Sequence, residues 1–225
     1  MADVNGFSII DIVHRLSKTK IEWSPKFAYA IGLIATDGCL CNDGRHIDFT
    51  SKDEELVLKF RECLGIKNKI GIKYRGNDKY KKTKCFRVQL GDINFYEFLV
   101  SIGLSPKKSK ILKDLSVPRQ YFWHFLRGCI DGDGSIGSYK HPESAHPQLR
   151  VRLYSASPKF LEWIKKEIMT GTDLEGGWIE DSIKKSRIYK LVFAKEDSIK
   201  LLKLIYDNPD YCLMRKYQRA ERFLI

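Results

Sequence analysis

Residues 125–137 read FLRGCIDGDGSIG and residues 29–40 read YAIGLIATDGCL. Each is an apolar run of helical character that closes on Asp-Gly, at Asp133 and at Asp37. The C-terminal end of a helix already carries partial negative charge, so a carboxylate placed there costs roughly 0.3–1 kcal/mol. Two such ends in one chain need a common explanation. Aligning Gly32 with Gly128 and Asp37 with Asp133 gives the same offset, 96 residues, for both pairs. The two stretches are therefore copies in one register.

Working outward, the first helix is expected to start at Ser24-Pro25, with serine as cap and proline at the first helical position, and the second at Pro118. After the first Asp-Gly comes HIDFTSKDEELVLKFRECLG: a short strand, then a helix capped by Asp53 and stopped by Gly65. After the second comes LRVRLYSASPKFLEWIKKEIMTG: a strand, a cap at Ser157, proline at the first helical position and a stop near Gly171. Further strand pairs and a closing helix complete each half. The expected fold is α+β, two αββαββα units related by a pseudo-two-fold axis. Residues 1–22 form an N-terminal extension, expected to be helical from the spacing of Ile9, Ile10, Val13 and Leu16; residues 23–114 and 115–225 form the two units.

The chain has 225 residues, 43% of them hydrophobic, and 40 Lys and Arg against 28 Asp and Glu give a net charge of +12. It is long enough to bury a sizeable core, and its charge points to a polyanionic partner. No run is apolar for long enough to span a membrane, and the start lacks the pattern of a signal peptide, so the chain is expected to be soluble, intracellular and without a membrane partner. Six cysteines without C-x-x-C spacing argue against structural zinc and are read as reduced thiols. The His141–His146 loop lacks the further ligands zinc would need.

Strand alternation locates the charge. Around the third strand Lys67, Lys69, Lys73 and Arg75 alternate with Ile66, Ile70, Ile72 and Tyr74, which predicts one cationic and one core face. Arg87 and Gln89 oppose Phe86, Val88 and Leu90. In the second half Arg150, Arg152 and Tyr154 oppose Leu149, Val151 and Leu153, and Lys190 opposes Tyr189, Leu191 and Phe193. Ribbons of this kind fit the major groove of a duplex, where Arg, Lys and Gln reach base edges. Lys79, Lys81 and Lys82 in the connecting loop suit phosphates. The two sheets are thus expected to form a basic DNA-binding saddle.

Gly32 and Thr36, like Gly128 and Gly132, stand four apart and share a helix face that admits a second helix closely. Packing through these faces would deliver Asp37 and Asp133 to one place. Two carboxylates with helix-end carbonyls then make an all-oxygen nest for a hard divalent cation such as Mg²⁺, able to serve phosphodiester hydrolysis. The alternative is that each aspartate only bonds the amides of its own Asp-Gly turn.

The motifs AIGLIATDG (Ala30–Gly38) and LRGCIDGDG (Leu126–Gly134) resemble the two motifs of a single-chain LAGLIDADG homing endonuclease. The resemblance implies a Mg²⁺-dependent, site-specific endonuclease that cuts both strands of a long asymmetric DNA site across the minor groove, leaving short 3′ overhangs. Mn²⁺ is expected to substitute, and Ca²⁺ to bind without supporting efficient cleavage. By position, Asp37 and Asp133 are the essential acids, with the carbonyls of Thr36 and Gly132 as further metal ligands. GLSPKKSKIL and LMRKYQR supply Lys108 and Lys216 as basic active-site residues. Ala35 departs from the motif where Asp131 keeps it, and Ser51 and Ser155 occupy the region of the family's water-ordering glutamine. The resemblance further implies a monomer, at home in the cytoplasm or organelle of its host intron or intein. Two relatives in fold have other roles: an RNA maturase acting on intron RNA, and a DNA-binding regulator that does not cut.

Overall fold

The structure, a computed structural model, describes residues 17–76, 82–140, 147–170, 172–183, 187–207 and 209–224. The first unit runs α1 (Pro25–Thr36), β1 (Gly38–Leu40), β2 (His46–Ser51), α2 (Glu54–Cys63), β3 (Gly71–Arg75), β4 (Thr83–Gly91) and α3 (Ile93–Ser101). The second runs α4 (Phe122–Asp133), β5 (Gly134–Lys140), β6 (Pro147–Ser155), α5 (Pro158–Met169), β7 (Trp178–Ile183), β8 (Ile188–Phe193) and α6 (Lys195–Tyr206), followed by α7 (Met214–Glu221). Each unit holds a four-stranded antiparallel sheet, ordered β1-β2-β4-β3 and β5-β6-β8-β7. The expected αββαββα repeat is borne out, with α7 added.

The α1 helix begins as its sequence predicts, with Ser24 Oγ accepting from the Phe27 amide at 3.3 Å and Pro25 in the first turn. Every residue from Phe27 to Ala35 is buried, because α4 covers one side and the first unit's core the rest. The α4 helix begins at Phe122 and not at Pro118: a 3-10 turn, Arg119–Tyr121, comes first. The Arg119 guanidinium holds that turn by donating to the carbonyls of Glu167 and Thr170 at the end of α5.

The α1 and α4 helices meet backbone to backbone. A Cβ on Gly32 would stand 2.1 Å from the Phe125 carbonyl oxygen, one on Gly128 would stand 2.2 Å from that of Tyr29, and one on Gly132 would meet Thr36 Oγ1 at 2.2 Å. Each apolar strand face packs beneath its helices, with Phe49 stacked on Phe60 at 4.4 Å in the first unit and Phe160 against Trp163 in the second.

Three expectations need correction. The β3 strand has no core face: Ile72 is 57% and Tyr74 62% exposed, because α2 packs chiefly on β2 and β4 and the sheet edge runs past it. Lys67 and Lys69 precede the strand in irregular backbone. Residues 17–22 are also irregular, since Ser17 Oγ and the Lys18 amide bind the Asp92 carboxylate at 2.8 and 2.5 Å. The rest of the predicted N-terminal helix lies outside the described residues.

Asp53 and Ser157 occupy the N-cap positions of α2 and α5, yet neither side chain caps. Asp53 instead takes both Arg215 Nε at 3.0 Å and Arg215 Nη2 at 2.7 Å, while the Met214 amide donates to Glu55 at 3.0 Å. Ser157 Oγ donates to the Leu112 carbonyl at 2.5 Å. The segment after each unit's last sheet helix thus docks on the other unit.

Because backbone atoms block any side chain at the helix crossing, Gly32→Ala and Gly128→Ala are each expected to cost on the order of 1–3 kcal/mol or more. The measurement is the urea midpoint of unfolding, with Gly137→Ala, which meets no protein atom closer than 4.0 Å, as the neutral control.

Candidate active site and nucleic-acid interface

The helix crossing brings the ends of α1 and α4 together. Asp37 caps α1, its amide donating to the Leu33 carbonyl at 3.0 Å, and Asp133 is the last residue of α4. The two lie near each other: the charge of Asp133 acts on Asp37, and a Cβ on Gly132, the residue before Asp133, would lie 3.4 Å from Asp37 Oδ2. Burial pushes the Asp37 pKa up to about 6, the negative charge of Asp133 adds to the rise, and Lys216, Lys108 and Arg75 oppose it. Asp133 presents surface to solvent, yet the protein crowded around it raises its pKa too, against the charges of Lys108 and Lys216. Two carboxyls held close against their own repulsion are poised for a cation.

The helix ends are themselves stabilised. Lys108, in a 3-10 turn after α3, is 5% exposed and directs its Nζ at the carbonyls of Thr36, at 3.5 Å, and Gly38. Lys216, in α7 and 3% exposed, donates to the carbonyls of Gly132 at 3.2 Å and Gly134 at 2.7 Å, and also to Ile130 at 2.7 Å and Asp131 at 2.8 Å. The carbonyls at 36 and 38 and those at 132 and 134 share the repeat's offset of 96 residues. Each buried ammonium therefore offsets the negative end of one central helix. Burial lowers both lysine pKa values, that of Lys216 to about 8.

The Asp131 side chain takes no part in this cluster. It is 1% exposed and accepts from Tyr29 and Tyr206 hydroxyls at 2.8 Å each and from the Leu213 amide at 2.6 Å. Burial raises its pKa, and those three donors oppose the rise. It ties α1, α4 and α6 to the residue before α7, and so sets where Lys216 begins. The sequence motif singles out Asp131, but nothing local in the sequence announces Tyr29, Tyr206 or Leu213 as its partners.

The donor set suits a hard cation. Among the described residues no group of three His, Cys, Asp or Glu gathers to hold a metal, so Asp37, Asp133 and the carbonyls of Thr36 and Gly132 would hold it with water or phosphate oxygens, as Mg²⁺ prefers. The contacts from the lysines to those two carbonyls are long, which leaves lone pairs available. A recess of about 50 Å³ beside Asp133 is lined by Thr36, Lys108, Tyr154 and Ser155. Ser155 Oγ accepts from the Ser157 amide at 3.1 Å and Ser51 Oγ from the Asp53 amide at 3.2 Å, so both serines brace turns.

The outward sheet faces carry the expected cations. Lys67, Lys69, Lys73, Arg75, Lys82 and Gln89 are exposed, and Arg150, Arg152 and Tyr154 are half-buried on β6. Lys79 and Lys81 lie outside the described residues, as does the His141–His146 loop. Two cations are tied down by acids on the same faces: Arg87 binds Asp48, and Lys190 binds Glu180 at 2.8 Å. Alternation alone puts Asp48 and Glu180 outward, so the pairs were legible once register was known. Arg150 also lies over the exposed Trp178 ring at 5.7 Å.

These features define a two-unit α+β protein built around a shared pair of helix-end aspartates. Residues 24–103 match the family described as a LAGLIDADG-like domain. No curated protein matches the chain. Among solved structures, it is similar to the homing endonuclease I-DmoI (18% identity, 82% of this chain and 96% of that one, TM-score 0.53). It is similar also to the homing endonuclease I-WcaI bound to its DNA recognition sequence (14%, 88% of each, TM-score 0.60). The N-terminal LAGLIDADG domain of DUF199/WhiA is comparable (16%, 90% and 89%, TM-score 0.54); a full-length form comes from Thermatoga maritima. The resemblance read from the two motifs is borne out in fold and in the family match of the first unit.

A carboxyl whose pKa rises on folding favours the native state while protonated. Asp37 thus contributes stability that is full below about pH 4 and lost as pH rises through its folded value of about 6. With chelator present, Asp37→Asn is expected to gain stability over wild type across that window, measured as the difference in melting temperature against pH; a constant difference would refute it.

Proposed function

We propose that the protein is a site-specific, divalent-metal-dependent DNA endonuclease acting as a monomer on a long asymmetric duplex site. The observation that carries this reading is the convergence of Asp37 and Asp133 at two lysine-braced helix ends between basic sheet faces. In it, Lys73, Arg75, Gln89, Arg150 and Arg152 reach groove edges, while Lys67, Lys69 and Lys82 hold phosphates. Asp37 and Asp133, with the carbonyls of Thr36 and Gly132, would hold Mg²⁺ or Mn²⁺, which when bound activates water and stabilises the leaving oxygen. Lys108 and Lys216 keep the helix ends in place and hold positive charge beside the reacting phosphate. Cleavage across the minor groove with short 3′ overhangs follows from the family resemblance.

Solved complexes of I-DmoI with target DNA and Mg, and with DNA and Mn, support the choice of metal. The fold alone does not select cleavage; the paired aspartates support it over the alternative of a DNA-binding regulator. The solved complexes with DNA favour duplex DNA over intron RNA as the partner.

The test is cleavage of a diverse duplex library followed by sequencing of new ends, with Mg²⁺, Ca²⁺ or chelator. Recurrent cuts with one short 3′ stagger are expected with Mg²⁺ alone. Asp37→Asn or Asp133→Asn should abolish them and largely keep binding; wild-type rates in either variant would overturn the reading.

A further inference from the structure

At the open edge of the second sheet, β5 and α7 enclose a groove of about 450 Å³ lined by Ile136, Gly137, Ser138, Arg219, Arg222 and Phe223. None of these residues belongs to the basic faces already described. We propose that this groove is a second DNA-backbone site, which takes phosphates of the duplex as it passes over the β5 edge, and the proposal rests on the DNA reading above.

Three observations support it. Charge comes first. Arg219 lies in the last turn of α7 and Arg222 caps its C-terminal end, so two guanidiniums stand three residues apart on one short segment. Both are exposed, and among the described residues no salt bridge or side-chain hydrogen bond engages either one. Three other arginines of the protein are committed: Arg215 to Asp53, Arg119 to the end of α5, Arg87 to Asp48. A pair of uncommitted guanidiniums beside a serine hydroxyl fits phosphate oxygens.

Continuity comes second. Across β5, Ser135 and Gly137 pair with Arg152 and Arg150 of β6, which lie on the basic face. A Cβ on Gly137 would lie 4.0 Å from Arg152 Nη1. Arginines thus flank β5 on both sides, from the sheet face around its edge to α7.

Access comes third. As the edge strand, β5 leaves one row of backbone groups without a sheet partner. Its sequence, GSIGSYK, is small where the duplex would approach. Gly137 has room for a side chain within the protein and yet carries none. A close approach by a partner's backbone is one reason for a glycine in a strand.

The test is equilibrium binding of a labelled random-sequence duplex, long enough to cross both sheets, over a salt series. Paired loss of charge in Arg219→Gln/Arg222→Gln is expected to reduce the slope of log K against log salt by roughly 1–2, since each phosphate contact contributes about 0.9. Gly137→Val is expected to weaken binding at least several-fold with an unchanged melting temperature. A wild-type slope in the double variant, whether or not binding weakens, would overturn the groove while leaving the endonuclease reading intact. Failure of the wild-type protein to bind DNA at any salt would remove the endonuclease reading, and the groove with it.

Discussion

The crossing of α1 and α4 through Gly32 and Gly128 is the constraint from which the site follows. With no side chain at either position, the helices approach until backbone meets backbone, and their C-terminal ends arrive together. The same contact that joins the units buries two carboxylates, which raises both pKa values, that of Asp37 further through the charge of Asp133. Stability and chemistry are in tension here. The fold tolerates that tension because each helix end is served by a buried lysine, so that the negative poles are offset before any ligand arrives.

The lysines show how far the symmetry extends and where it stops. Lys108 and Lys216 bind carbonyls at corresponding positions of the two motifs, but they reach them from unlike scaffolds, a 3-10 turn and a two-turn helix. Lys216 binds two carbonyls more than Lys108 does and depends on Asp131, for which Ala35 has no equivalent. The second half therefore braces its helix end more heavily. Its extra helix and the residue that caps it also supply Arg215, Arg219 and Arg222.

Much of this was legible in the sequence, for physical reasons that also explain the failures. The repeat, the glycine faces and the two Asp-Gly ends are local patterns tied to helix period, and they gave the architecture and the place of the site. Alternation worked on β4 and β6, which are covered on one face. It failed at Ile72 and Tyr74, because alternation reports which side a residue faces and says nothing of whether a helix covers that side. Asp53 and Ser157 were placed correctly as N-caps, yet their side chains serve Arg215 and Leu112, partners distant in sequence. The ties of Asp131 were hidden for the same reason: their partners lie from 75 to 102 residues away.

The exchange of tails between the units bears on how such a chain can change over time. A gene duplication gives two halves that are free to drift wherever each faces DNA alone. Asp53 with Arg215, and Ser157 with the backbone at Leu112, instead link the beginning of one half's second helix to the other half's trailing segment. A substitution at Asp53 thus strips Arg215 of its partner in the other half, not one within its own. The halves are inherited as one unit, although each has a complete sheet of its own.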